Sequence, residues 1–261
     1  MGLLKSLSSL GALSVKEQFM YQNIIFDLYG TLLEIKTEEE SPEFWTFVAR
    51  FFSYNGAVYE PSSLKSRYEE LVQQALAEKR ALTPHPDIQI LHVFKRLYEE
   101  KGIIPGDAVL VQTARVFRNL STRMIRLFDG VKETLQALKE RGIRIFLLSN
   151  GQREFTLPEL TAFGIVHYFD RICSSSDLGI CKPDPRFFEH LMALEGLNAQ
   201  NTLMVGNDHT SDIAGAHHLG MDALYIHTSN SQPIDPSEVQ CRFKIPDGNF
   251  INLKKLLLSL S

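Results

Sequence analysis

The chain has 261 residues, with 27 Lys and Arg against 31 Asp and Glu and a formal charge of −4. That deficit of cations excludes a basic nucleic-acid surface or a polybasic membrane anchor, since each requires a surplus of positive charge. A hydrophobic share of 44% with 22% charged residues excludes long disorder and supports a sizeable core, either one large domain or a core carrying an inserted smaller one.

Met1 to Leu13 is mildly apolar, but Lys5 and several serines interrupt it and no small-residue cleavage site follows. Residues 1–22 therefore read as a loose leader. Met1-Gly2-Leu3-Leu4-Lys5-Ser6 also fits the short N-myristoylation pattern, which is common by chance, and Met20 is an alternative start. No apolar run approaches the roughly 18–20 residues that cross a bilayer. Asn23 to Leu28 is a short apolar run ending at Asp27, the pattern of a buried parallel strand. Tyr29-Gly30-Thr31 follows at its carboxyl end, where open α/β sheets place ligands.

From about Pro42 to Leu127 the apolar spacing turns helical. Phe44, Phe47, Val48 and Phe51 share one helix face, and Leu64, Tyr68, Leu71 and Ala75 a second. Ile90, Val93, Phe94 and Leu97 form a third, and Val109 to Phe128 supplies a fourth. Asn55-Gly56, Pro84 with Pro86, and Pro105-Gly106 separate them, so residues 35–127 are predicted to form a helical bundle. Trp45 and the phenylalanines read as its core, and Glu38-Glu39-Glu40 as a solvated hinge.

After Asp129-Gly130 strands and helices alternate. Helices are expected over Val131 to Arg141, Glu154 to Phe163, Pro185 to Glu195, Asp212 to Leu219 and Phe250 to Leu260. Strands are expected over Ile143 to Leu148, Tyr168 to Cys173, Thr202 to Val205 and Ala223 to Ile226. Alternation implies a parallel sheet with right-handed crossovers. The core is thus expected from residues 23–34 and 128–261, with the bundle inserted between them. Cys173, Cys181 and Cys241 are odd in number and lack ligand spacing, which suits a reducing cytoplasm.

Residues just past the carboxyl ends of neighbouring parallel strands share one crevice. Four places become comparable: Asp27 to Thr31, Ser149-Asn150, Lys182-Pro183, and Gly206 to Asp212. A carboxylate there can attack phosphorus or carbon, forming an acyl-type ester that water hydrolyses. The hydroxyls of Thr31 and Ser149 can hold anionic oxygens while Lys182 neutralises charge. Asp208 and Asp212, with Asp27, offer oxygens to a hard cation such as Mg²⁺. Each residue alone is as well a turn or a helix cap, so the weight lies in their joint occurrence.

The strings Phe26-Asp27-Leu28-Tyr29-Gly30-Thr31-Leu32, Leu147-Leu148-Ser149-Asn150, Cys181-Lys182-Pro183-Asp184-Pro185 and Val205-Gly206-Asn207-Asp208-His209-Thr210-Ser211-Asp212 together resemble the haloacid dehalogenase-like hydrolase superfamily, in members with an inserted helical cap. The resemblance covers nearly all of Asn23 to Thr228. It implies an α/β fold, a Rossmann-like parallel-sheet core with an α-helical bundle cap that selects the substrate. It further implies Asp27 as nucleophile, Thr31 and Ser149 on the transferred group, Lys182 as the charge-neutralising lysine, and substrate contacts at Tyr29, Gly30 and Asn150. Mg²⁺ would be held among Asp27, Tyr29, Asn207, Asp208 and Asp212. Most members are Mg²⁺-dependent phosphatases, so the implied activity is hydrolysis of a small anionic, phosphorylated metabolite. A cytoplasmic monomer or homodimer is expected, with neither nucleic acid nor membrane as partner.

Two departures qualify this. Tyr29 stands where phosphatases of the superfamily carry a second aspartate as general acid and base. Ionising a phenol at pH 7 costs about 3 × 1.36, or ~4 kcal/mol. The acidic motif reads Gly206-Asn207-Asp208 where Gly-Asp is usual, leaving ligation by Asn207, by Asp208 or through water open. The Asp-x-Tyr-Gly-Thr string is also similar to the metal-independent 2-haloacid dehalogenases of the superfamily, whose halide leaving group needs no proton. Against that alternative, Asp208 and Asp212 beside Asp27 would repel an anionic haloacid. Arg50, Arg67, Arg123 and Arg126 read as surface charges, with none placed by a motif. A third reading is a catalytically weak binding or regulatory protein on the same scaffold. His209 could replace the missing acid, while His217-His218 reads as structural.

Overall fold

A computed structural model describes residues 21–261; the myristoylation pattern and all of the leader before Tyr21 lie outside the described residues. The chain is anchored two residues earlier than expected. Tyr21 is buried, its hydroxyl donates to Asp222 Oδ2 at 2.5 Å, and its N–H donates to the Leu260 carbonyl.

The first apolar run forms β1 (Asn23–Phe26), buried along its whole length. After it, Leu33–Thr37 (β2) pairs antiparallel with Thr122–Leu127 (β3) in a two-stranded ribbon that carries the chain into and out of the helical insertion. The remaining strands are β4 (Arg144–Ser149), β5 (Arg171–Ser174), β6 (Thr202–Gly206), β7 (Asp222–Ile226) and β8 (Phe243–Ile245). Outside the ribbon the strands form one sheet in the order β5-β4-β1-β6-β7-β8, every neighbouring pair parallel. Because β1 has β4 on one side and β6 on the other, the winding direction reverses there, and a crevice opens at the strands' carboxyl ends.

Alternate residues of each strand serve opposite faces. Ile24, Phe26, Leu203 and Val205 pack with Leu135 and Leu257, while Ile25, Phe146, Met204 and Tyr225 pack with Phe187, Phe188 and Ile213. Four helices make the insertion: α1 (Pro42–Tyr54), α2 (Pro61–Arg80), α3 (Ile90–Glu99) and α4 (Asp107–Ser121). They enclose a separate aromatic cluster of Phe44, Trp45, Phe52, Phe94, Tyr98 and Phe117. Ser41 caps α1, accepting the Phe44 N–H at 3.2 Å. The sheet's helices are α5 (Val131–Glu140), α6 (Arg153–Ala162), the short α7 (Ser175–Leu178), α8 (Pro185–Glu195), α9 (Ala214–His218) and α10 (Phe250–Leu260). The observed architecture is the α/β fold expected, a Rossmann-like sheet with a helical cap.

Several expectations need correction. The fourth cap helix stops at Ser121, and the residues to Leu127 extend as β3, because Thr122 and Ile125 are β-branched and β2 lies free to pair. On α1 the buried stripe is Phe44, Trp45, Val48, Ala49 and Phe52, leaving Phe47 47% exposed; the rotation seats Trp45 on Phe117 and Phe52 on Tyr98. Tyr168 ends a short 3₁₀ turn, so β5 begins only at Arg171. Asp212 lies in a π-helical turn, His209–Ile213, that precedes α9.

Phe52 stacks on Tyr98 at 4.5 Å between centroids and meets Phe94 and Tyr59 edge-on. Phe52→Ala is expected to lose about 3–5 kcal/mol, read as an earlier urea transition by far-UV circular dichroism. Phe47→Ala, on the exposed side of the same helix, should shift that transition by less than ~0.5 kcal/mol.

Candidate active site

Asp27 is the first residue beyond β1, its N–H still bonded to the Val205 carbonyl of β6. The residue is 6% exposed, with both side-chain oxygens held: Oδ1 accepts from Lys182 Nζ at 2.7 Å and Oδ2 from the Thr31 hydroxyl at 2.9 Å. The Thr31 hydroxyl also accepts the Asn207 N–H at 3.0 Å and lies 3.1 Å from Asn207 Oδ1. It bears one hydrogen for two acceptors, so either Asp27 Oδ2 or Asn207 Oδ1 is always without a donor from it. The turn that brings Thr31 back depends on Gly30, at φ 86°, where a Cβ would sit 2.5 Å from Asn207 Nδ2.

Lys182 is buried between two carboxylates, its ammonium donating at 2.7 Å to Asp27 Oδ1 and at 2.7 Å to Asp212 Oδ1. Burial lowers the ammonium's pKa, but Asp212 and Asp27 outweigh it and raise it to about 12. The ammonium's side of the pairing is therefore kept below that value and lost as pH rises through about 12, while the carboxylate side is lost as pH falls and Asp212 takes up a proton. Burial and the Asp27 charge push Asp212 upward, with Lys182 opposing. Asp212 Oδ2 also accepts the Asp208 N–H at 3.0 Å. Gly206 makes room for it, since a Cβ there would lie 2.2 Å from that oxygen.

Asn150 works through the backbone of Lys182. Its Nδ2 donates to the Lys182 carbonyl at 3.0 Å and its Oδ1 accepts the Lys182 N–H at 2.8 Å. Ser149, at the end of β4, has a fully buried hydroxyl without a partner among the described residues.

Tyr29 turns away from this group. Its hydroxyl donates to Glu159 Oε2 at 2.7 Å, and Arg118 of α4 lies over its ring at 5.1 Å while donating through Nε to Glu159 Oε1 at 2.6 Å. Burial, then the Glu159 charge, push the phenol well above its ordinary range, so it keeps its proton. Asp208 caps the π-helical turn, its Oδ1 accepting from the Thr210 N–H at 2.8 Å and hydroxyl at 2.7 Å. Burial alone would raise Asp208, but the Thr210 bonds outweigh it and lower its pKa.

A cavity of about 170 Å³ is lined by Asp27, Tyr29, Asn150, Lys182, Asn207 and Asp212, with Asp208 at its side. Tyr29 and Asn150 also line a second cavity of about 380 Å³ between core and cap, with Asp87, Arg118, Gln152 and Phe155. Among the described residues, no three His, Cys, Asp or Glu side chains are grouped as metal ligands. The oxygens of Asp27 and Asn207, short of one proton between them, nonetheless suit a hard cation. His209 lies outside the lining of the smaller cavity, and His217 and His218 are exposed on α9. Arg67, Arg123 and Arg126 form ion pairs with Glu100, Glu38 and Glu34. Sequence reasoning missed Arg118 and Glu159; Arg118 had been absorbed into the apolar run of the fourth helix.

The family model of haloacid dehalogenase-like hydrolases matches residues 21–220. The chain is 33% identical to the glyceraldehyde 3-phosphate phosphatase of Methanothermobacter thermautotrophicus over 43% of its own length and 50% of that protein's. It is 31% identical to the phosphoserine phosphatase of Thermus thermophilus over 55% of its length and 56% of that protein's. The chain thus spans about half the length of these curated relatives. The crystal structure of a 2-haloacid dehalogenase from Pseudomonas syringae pv. Tomato superposes with a TM-score of 0.61 at 20% identity, covering 93% of this chain and 100% of that one, a likeness of fold. Matched by the family model over most of its length, and with the four motif loops meeting around one buried carboxylate, the chain belongs to the haloacid dehalogenase-like hydrolases.

Proposed function

We propose that the chain hydrolyses a small phosphorylated metabolite, passing the phosphoryl group first to Asp27 and then to water. The observation that carries this reading is the double hold on Asp27 at the wall of the small cavity where the motif loops meet. An oxygen of Asp27 attacks phosphorus, the bond to the ester oxygen breaks, and the leaving oxygen takes a proton. Water then attacks the same phosphorus, releasing inorganic phosphate and restoring the carboxylate. Lys182 and Ser149 donate to the phosphoryl oxygens as charge develops there. Mg²⁺ would be held by Asp27 and Asn207, with Asp208 and Asp212 near it, and when bound would neutralise charge between the two reacting anions. The match to relatives named as phosphatases supports the same reaction.

Residues 35–127 would act as the cap over the crevice and select the substrate. Three free cysteines support a reducing cytoplasm, and among the described residues no helix is long and apolar enough to cross a membrane.

The engagement of Tyr29 with Glu159 shapes this chemistry. A phenol already donating to a carboxylate does not deliver a proton to the leaving group, so water must supply it. Esters with acidic leaving groups should therefore react fastest. The same observation favours a second reading, dehalogenation of a 2-haloacid, because halide departs without a proton.

Asp27→Asn should bring hydrolysis of 4-nitrophenyl phosphate below detection while far-UV circular dichroism stays unchanged; turnover retained by a preparation free of deamidation would sink the covalent scheme. Tyr29→Asp should raise Mg²⁺-supported hydrolysis of an alkyl phosphate by ~10-fold or more and narrow its gap to the nitrophenyl ester, since general acid–base catalysis is worth ~10²–10⁴-fold. A melting curve must accompany that variant. A folded Tyr29→Asp protein with no gain, beside a wild type that releases chloride from 2-chloropropionate in chelator, would decide for dehalogenation.

A further inference from the structure

Cap and core meet away from the β2–β3 ribbon as well. The loop between α2 and α3, residues 81–89, lies along the core segment 179–184 that contains Lys182. The Asp87 N–H donates to the Gly179 carbonyl at 2.9 Å, and the Cys181 N–H to the His85 carbonyl at 2.8 Å. The Thr83 hydroxyl donates to Asp184 Oδ2 at 2.5 Å. Gln152, just beyond the loop after β4, clasps the same stretch: its Nε2 donates to the Ile88 carbonyl and its Oε1 accepts the Ile90 N–H, both at 2.9 Å.

Asp87 carries this contact into the motif loops. Its Oδ2 accepts from the Ser175 hydroxyl at 2.5 Å, and the Ser175 oxygen in turn accepts the Gly151 N–H at 2.9 Å. Gly151 directly follows Ser149-Asn150, and Asn150 holds both backbone groups of Lys182. A chain of hydrogen bonds and one peptide link thus runs from a cap carboxylate to the ammonium that grips Asp27. Ser175 is fully buried, so water cannot replace it, and its loss leaves the Gly151 N–H unpaired.

We propose that Asp87 is a positioning residue: supplied by the cap, it holds the Ser149-Asn150 loop and Lys182 in register with Asp27 only while the cap is seated on the core. The proposal rests on phosphoryl transfer at Asp27, and it ties closure of the cap to assembly of the groups that stabilise charge. Misplacing such groups by about 1 Å costs on the order of 10²-fold in rate. The backbone bonds to Gly179 and His85 do not involve the Asp87 side chain, so its removal separates positioning from closure.

The test uses the full chain with Asp87→Ala, Ser175→Ala and the double variant. It reads kcat and KM on 4-nitrophenyl phosphate with Mg²⁺, and amide hydrogen exchange over residues 149–152 and 181–184. Each single variant is expected to lower kcat by ~10–100-fold with KM within ~3-fold. The double should be no slower than the slower single, as for residues acting in one relay. Exchange in the two segments should quicken ~10-fold or more while β1 and β6 are unchanged, and Asp87→Asn, which keeps an oxygen for Ser175, should recover most of kcat. An unchanged kcat with unchanged exchange overturns the proposal, as does a change confined to KM or losses that multiply in the double variant. If the wild type hydrolyses no phosphate ester, the phosphatase reading fails by itself and exchange decides on Asp87: unaltered protection in Asp87→Ala overturns the positioning role. If Asp87→Ala does not fold, Ser175→Ala carries both readouts.

Discussion

The site is organised around one buried cation. The Lys182 ammonium sits almost fully buried between Asp27 and Asp212, where an ion pair repays its desolvation only if its geometry and remaining hydrogen bonds are well satisfied. The surroundings supply that geometry. Asn150 fixes the lysine's backbone, Gly206 leaves room for Asp212, and Thr31 takes the second oxygen of Asp27. With two carboxylates and one ammonium, the trio carries a net charge of −1. An anionic ligand would therefore be repelled by this trio, and a further cation would be the simple remedy. That deficit, more than any single ligand, is why oxygen-rich Asp27 and Asn207 suit Mg²⁺.

Tyr29 lines the site and at the same time ties it to the cap. A carboxylate at its position would face the nucleophile as a second titrating group. The phenol instead reaches Glu159 on α6, and Glu159 also accepts from Arg118 on α4. Core strand end, core helix and cap helix are thus joined through one carboxylate. The arrangement ties the cap to the core through a buried ion pair as well as through the ribbon.

Much of the fold was legible because strands buried on both faces must be apolar throughout, and the helices between them end at glycines such as Gly142, Gly164 and Gly196. Pro185–Glu195 and Phe250–Leu260 have the bounds that their spacing implies. The ribbon was not legible: Leu33 and Ile35 alternate with Glu34 and Lys36 for too few residues to separate from a loop, and the partner strand reads as the tail of α4. The motif residues were legible because each follows an apolar run. What each does was less so. Asp208, read from the sequence as a ligand, also caps the turn through Thr210, and Asn150, read as a substrate contact, also holds the backbone of Lys182. Arg118 and Asp87 left no local signal, since their partners Glu159 and Ser175 lie 41 and 88 residues away.

The asparagine at position 207 has a further consequence. Its amide oxygen occupies the place beside Thr31 where an aspartate would put a second negative charge within reach of Asp27. Two carboxylates on one hydroxyl would repel each other and demand a cation to settle them. With the neutral amide, one of the two oxygens still lacks the Thr31 hydrogen, but no second charge on that hydroxyl is left uncompensated. The pair therefore needs no cation to offset repulsion between two carboxylates, and a hard cation would be held less tightly there than by a fully anionic set, because hard cations follow the charge of their ligands. A phenol at Tyr29 and an amide at Asn207 act in the same direction: both leave fewer negative charges around Asp27 than carboxylates would, and so weaken the repulsion that an anionic ligand would meet there.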